Sequence, residues 1–203
     1  ASDVYKRQCL NNPKALTPLG ARPTLASCAI AEVCARTLFE YGKSASQAVA
    51  ANVCDDSLER VVEANTLLSG IGFESGGLAL AHPFALAFTQ IDAIHHKYLH
   101  GEMVAMGTAI QLALERSNEA EKVARFFAQI GLPIHMAQLS LSLDDEESVN
   151  IIIESALKNK NAHHMPTAVT AHSLRDAMLG ANALGEKVAN EIGDDAYRRL
   201  HEH

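Results

Sequence analysis

Tryptophan is absent from this chain of 203 residues, and Phe and Tyr together make up only 5% of it. A sheet sandwich draws on aromatic and β-branched residues, so a sequence this rich in alanine points to closely packed helices instead. No stretch alternates apolar and polar residues over a strand's length, and no repeat of 20 to 50 residues is present. Seventeen Lys and Arg stand against 24 Asp and Glu, a net charge of −7 with His neutral, and no basic cluster exists. That balance excludes a nucleic-acid backbone as partner. The longest apolar run, Leu78 to Phe88, is too short to span a bilayer and carries His82 inside it, so no membrane role is expected. The four cysteines, Cys9, Cys28, Cys34 and Cys54, form no C-x-x-C pair, and no signal peptide precedes them. They read as buried, reduced thiols of a cytoplasmic protein.

The chain also lacks an initiator Met. Ala1 to Gln8 has neither the periodicity nor the turn residues of the remaining sequence and is set aside as a non-native end. The remainder, residues 9–203, is expected to be one all-helical domain. Asn11, Asn12, Pro13, Pro18 and Gly20 mark a loop. Pro23 and Thr24 then open a helix with Leu25, Ala29, Val33 and Leu38 on one face, stopping at Gly42. A short helix is expected over Ser46 to Asn52. The next starts at Asp56 with Glu59 as a capping box, has Leu58, Val61, Val62, Asn65 and Leu68 on one stripe, and ends near Gly70.

The segment LALAHPFALAF, residues 78–88, is apolar on every side, as in a helix wholly inside a protein, with Pro83 expected to kink or break it. A similarly apolar helix opens at His100 and Gly101 and runs to about Arg116. Asn118 with Glu121 caps another, bearing Val123, Phe126, Phe127 and Ile130 and stopped by Gly131 and Pro133. Asp145 precedes one with Val149, Ile152, Ile153 and Ala156, and Thr170 one with Leu174, Ala177, Met178 and Ala181. A last helix is expected from about Glu186.

Ten histidines are an excess, and the question is which of them converge. His82 lies in the buried segment, where an unpaired imidazole costs roughly 1–3 kcal/mol. His95, His96 and His100 come next, and His96 and His100 would share a face if one helix carried both. His163 and His164 precede Met165 and Pro166 in a loop; His201 and His203 sit in a charged tail with no expected role. The H-E-x-x-H zinc pattern is missing. Spacing leaves two readings open. Either His82 and one of the histidines at 95 to 100 ligate a divalent metal, or the protein is a helical scaffold with satisfied histidines.

The run SGIGFESGGLALAH, residues 69–82, followed by HGEMVAMGTAIQL, residues 100–112, closely resembles the glycerol dehydrogenases of the iron-containing alcohol dehydrogenase family. PTLASCAIAEVCARTLFEYG at 23–42, LERVVEANTLLSG at 58–70, GLPIHMAQL at 131–139 and HHMP at 163–166 support it, and the resemblance covers about residues 9 to 197. It implies a two-domain oxidoreductase with an N-terminal α/β domain for NAD and a C-terminal helical bundle for the metal. This chain resembles the helical bundle alone, the plan shared with dehydroquinate synthase, and as a fragment is expected to be inactive. No glycine-rich cofactor loop is present, so no cofactor-binding residue is named.

In the family one zinc ion, with iron the alternative, is held by an Asp and two His. The resemblance maps the two histidines to His82 and His100 and leaves the Asp upstream of this N-terminus. It maps Phe73 to an aromatic of the substrate pocket, for a small polyol such as glycerol. Two His and one carboxylate leave an open coordination position, where a Lewis acid makes a bound alcohol a better hydride donor to the nicotinamide. Ala85 stands where relatives commonly carry another His, and Pro83 is unusual in the motif; both departures bear on the pocket's shape. Glu102 is expected to stabilise its helix start and to orient His100, and His164 to lie at the pocket rim. A homo-oligomer is implied for the full-length parent. The other readings are a dehydroquinate synthase relative and a non-catalytic helical scaffold.

Overall fold

Short polar side chains cap helix starts at Thr24, Asp55, Asp145 and Thr170. The computed structural model describes residues 15–201, and among these there are helices and turns but no strand. The fold is all-α, as expected from composition and periodicity. Ala1 to Gln8, Cys9 and His203 lie outside the described residues. The chain divides into two compact units: residues through Ala79 with His164–Pro166, and Leu80–His163 with Thr167 onward.

In the first unit, α1 spans Leu25–Ala50. Thr24 Oγ1 accepts the Ser27 N–H at 3.1 Å, and Ser27 Oγ accepts the Thr24 N–H at 2.9 Å, a reciprocal cap. The expected stop at Gly42 is not there. Glycine ends a helix when it turns to positive φ, and Gly42 does not; the helix ends beyond it, with Asn52 at φ 54°. The separate helix expected over residues 46–52 is therefore the tail of α1. Its buried face is also not the expected one. Cys28, Ala31, Cys34, Ala35, Ala45 and Ala48 are buried, while Leu25 is 86% exposed. Small side chains let a neighbouring helix approach closely, while Leu25, Val33 and Val49 face outward.

That neighbour is continuous helix from Asp56 to Gly76: α2 (Asp56–Glu63), a π-helical turn (Ala64–Leu68) and α3 (Ser69–Gly76). Asp55 caps α2 by accepting the Leu58 N–H at 3.0 Å, one residue before the expected start. The helix passes through Gly70 and stops at Gly77, whose φ of 85° suits a residue without Cβ. Only Ala64 of the π turn, Gly72 and Gly76 are buried along it, so the expected stripe from Leu58 to Leu68 does not form a core face. Cys34 donates its thiol to the Ala64 carbonyl at 3.3 Å. Cys54, expected to be buried, is exposed.

The second unit is built around α4 (Ala81–Phe88) and α6 (His100–Leu114). In α4 the residues Ala81, Pro83, Phe84, Ala85, Ala87 and Phe88 are buried, as expected for an inside helix. Pro83 does not break it. The helix starts three residues later than the apolar run, so Pro83 falls in the first turn, where an N–H has no helical acceptor anyway. The buried start of α4 has no capping side chain of its own; Gln111 of α6 accepts the Ala81 N–H at 3.1 Å. Gly107 lets the two helices meet: a Cβ there would lie 2.2 Å from the Ala81 carbonyl oxygen.

A short α5 (Asp92–His95), unforeseen in the sequence, lies in the connection between them. Helix α7 (Ala120–Ile130) ends at Gly131 with φ 84°, as expected. Helix α8 (Glu146–Lys158) is capped by Asp145 and buries Val149, Ile152, Ile153 and Ala156. Helix α9 (Ala171–Ile192) starts at the Thr170 cap and runs unbroken past Glu186, so the expected last helix is its second half. A further helix, α10 (Asp195–His201), comes after Gly193. No helix among the described residues is long and apolar enough to cross a membrane.

Candidate metal centre

His82 is the second residue of α4 and His100 the first of α6. The capping of the Ala81 N–H by Gln111 and the close approach at Gly107 fix the start of α4, which carries His82, against the body of α6. Their rings lie 5.7 Å apart, centre to centre, tilted by 52°. Two imidazoles sharing one zinc at about 2.0–2.1 Å from each nitrogen place their ring centres roughly 5–6 Å apart. The pair fits a shared divalent ion.

Burial acts on one member of the pair. Loss of solvent holds the His82 imidazole down at about 4, with the nearby His100 pushing in the same direction. The α4 dipole, positive at this end, also disfavours a proton there. His82 is thereby kept neutral, the form that ligates a metal. His100 is exposed.

Glu102, 8% exposed, accepts the Leu99 N–H at 2.7 Å on one carboxylate oxygen, so the expected stabilisation of the helix start is present. Its other oxygen meets Nε2 of His201, not His100, so the expected direct contact between Glu102 and His100 is not made. His201, expected to have no role, has 17% of its side chain exposed and stacks on Tyr197 at 3.9 Å. The contact to Glu102 joins residues 99 positions apart, and no local signal in the sequence announces it. Gln111 and Gly107 carry no such signal either, although both lie in the motif that begins at His100.

The remaining histidines separate. His96 caps the end of α5 and His100 begins α6, so the two do not share a helix face. His95 and His96 are exposed and stack on each other at 4.8 Å. His163 Nε2 bonds the Leu157 carbonyl at 3.0 Å. In the first unit, His164 Nδ1 donates to the Leu78 carbonyl at 3.0 Å, and Phe73 stands on α3, 38% exposed. Among the described residues no group of three or more His, Cys, Asp or Glu side chains could hold a metal. His82 and His100 are two candidate donors and do not by themselves make up such a group.

No family model matches the chain. It is 40% identical to glycerol dehydrogenase of Escherichia coli over 190 residues, covering 92% of this chain and 52% of that one. Against glycerol dehydrogenase of Pseudomonas putida it is 40% identical over 185 residues, covering 90% and 50%. The crystal structure of a probable glycerol dehydrogenase from Sinorhizobium meliloti superposes with a TM-score of 0.85 at 32% identity, covering 91% of this chain and 53% of that one. The chain spans about half the length of the curated relatives it matches.

Proposed function

We propose that this homologue of the glycerol dehydrogenases is the metal- and substrate-holding helical part of a metal-dependent, NAD-linked polyol dehydrogenase. The observation that carries the reading is the approach of the His82 and His100 rings to 5.7 Å across two helix starts. The helical domain is taken as residues 9–203. His82 and His100 would hold zinc, with iron the alternative, and a carboxylate from a segment upstream would complete the ligand set. When bound, a metal of this kind supplies Lewis-acid activation of an alcohol.

The chain's own residues hold and orient. His82, kept neutral by burial, offers a lone pair without first losing a proton. Glu102 fixes the turn that carries His100 by accepting the Leu99 N–H. Phe73 would offer an apolar face to a small polyol such as glycerol. The nicotinamide cofactor would be bound by a domain outside this sequence, so the chain by itself has nothing to receive hydride and turns over no substrate. Cytoplasmic residence and homo-oligomerisation of the full-length parent belong to the same reading.

Zinc titration by calorimetry tests it, on the chain and on a version extended N-terminally to the length of its relatives. One-site binding is expected, lost in both His82→Ala and His100→Ala. If neither the folded chain nor its extended form takes up zinc beyond these variants, the metal reading fails and a helical scaffold with satisfied histidines stands in its place.

A further inference from the structure

His100 is exposed, and its ring stands 5.7 Å from that of His82. The backbone from Leu99 to Glu102 sets the point from which its imidazole extends. Glu102 accepts the Leu99 N–H with one oxygen. Capping needs no more than that, and a glutamate that only caps leaves its second oxygen in water. Here the carboxylate is buried, with its second oxygen against His201 Nε2 and only 10% of the side chain exposed. A carboxylate taken out of water is costly to leave unpaired, so this contact is a strong constraint on the turn.

His201 is itself held firmly. Its Nδ1 bonds the Tyr197 carbonyl at 2.7 Å, and its ring stacks on Tyr197 at 3.9 Å and 14°. The Tyr197 hydroxyl donates to the Gln138 carbonyl. Helix α10 also packs on the end of α7, where a Cβ on Gly131 would lie 2.8 Å from the Ala196 carbonyl oxygen. Both ring nitrogens of His201 thus face oxygens, one fixing the ring to its own helix and the other reaching Glu102.

We propose that His201, through Glu102 and the Leu99 N–H, is a positioning residue that sets the His100 imidazole against His82. The proposal rests on the reading of His100 as a metal ligand only for its consequence on zinc; the positioning itself is independent of it. His201→Asn tests it, because an Asn amide reaches about as far as Nδ1 and is too short for Glu102. His201→Gln reaches about as far as Nε2 and restores a donor to the carboxylate. Arg198→Ala, which removes an ion pair to Asp194 at the start of the same helix, controls for general loosening of α10.

Three signals are read: hydrogen exchange at the Leu99 amide, the NMR resonances of the His100 ring, and zinc affinity. H201N is expected to speed exchange at Leu99 roughly tenfold and shift the His100 resonances. It is expected to weaken zinc binding ~10–100-fold. H201Q should return all three towards the parent, and R198A should leave them there. If H201N fails to fold, His201→Phe keeps the stack on Tyr197 and removes both ring nitrogens, with the same expectations. Parent values in H201N, or no rescue by H201Q, overturn the proposal. If the exchange and ring signals respond but neither the parent nor its N-terminally extended form binds zinc, the positioning role stands and the metal reading falls.

Discussion

A buried histidine makes stability depend on acid, and His82 has the burial to do so. Its folded value near 4 lies below the ordinary 6.5, chiefly because burial penalises the charged ring. Between those values the unfolded chain binds a proton that the folded chain refuses, so stability falls as pH falls from 6.5 towards 4 and levels off below. In the metal-free chain the loss attributable to this group is on the order of 2 kcal/mol. His135, also lowered by burial against the opposing pull of Glu186 and Asp194, works in the same direction. Urea unfolding of EDTA-treated protein at about pH 7 and about pH 5 measures it. His82→Gln should narrow the difference between the two conditions, and an unchanged difference would exclude His82 as its source. The candidate site is only partly legible in the sequence. Motif resemblance names His82 and His100, but spacing cannot bring them together, since their approach depends on how α4 and α6 pack. His201 escapes a reading by spacing because its contact to Glu102 closes over 99 positions and leaves no periodic trace.

Helix starts capped by a short polar side chain are legible in the sequence, and uncapped starts and helix ends much less so, for a physical reason. Thr24, Asp145 and Thr170 each cap within three residues of themselves, so the chemistry is local and visible in the sequence. A glycine stops a helix only if tertiary packing leaves it free to turn to positive φ. Gly131 does so, while Gly42 and Gly70 continue the helix. Gly107 shows a different use of the same residue, because its missing Cβ is what brings α6 against the start of α4. Gly107→Ala would drive a methyl into the Ala81 carbonyl, with backbone on both sides and no flexible tip to yield. A destabilisation of about 3 kcal/mol is expected, lowering Tm by roughly 5–10 °C. Gln111→Met, similar in volume, would leave the buried Ala81 N–H without its acceptor at a cost of about 1–3 kcal/mol. Calorimetric melting of both variants beside the parent decides this. Parent-like melting of Gly107→Ala would mean that α4 and α6 can separate without loss.

The two compact units differ in how their helices are held, and that difference has an observable consequence. In α6, ten residues are buried, from Glu102 to Leu112, and side-chain bonds tie both its own start and the start of α4 packed against it. In the continuous helix from Asp56 to Gly76, only Ala64, Gly72 and Gly76 are buried, while Val62 and Leu67 are about half exposed. Its π turn adds a further weakness, since hydrogen bonding there departs from the α-helical pattern. Helical propensity alone holds a segment of this length only marginally, so its order depends on the small-residue face of α1. Local opening should therefore cost much less over residues 56–76 than over residues 100–114. Hydrogen exchange followed by mass spectrometry is expected to show amides of the first segment exchanging on the order of 100-fold faster than those of the second. Equal protection would mean that the two units open as one, and that the exposed apolar positions of the first do not limit its stability. Faster exchange confined to 56–76 would place the more rigid helices where His82 and His100 stand, as the proposed pair of ligands from two helix starts requires.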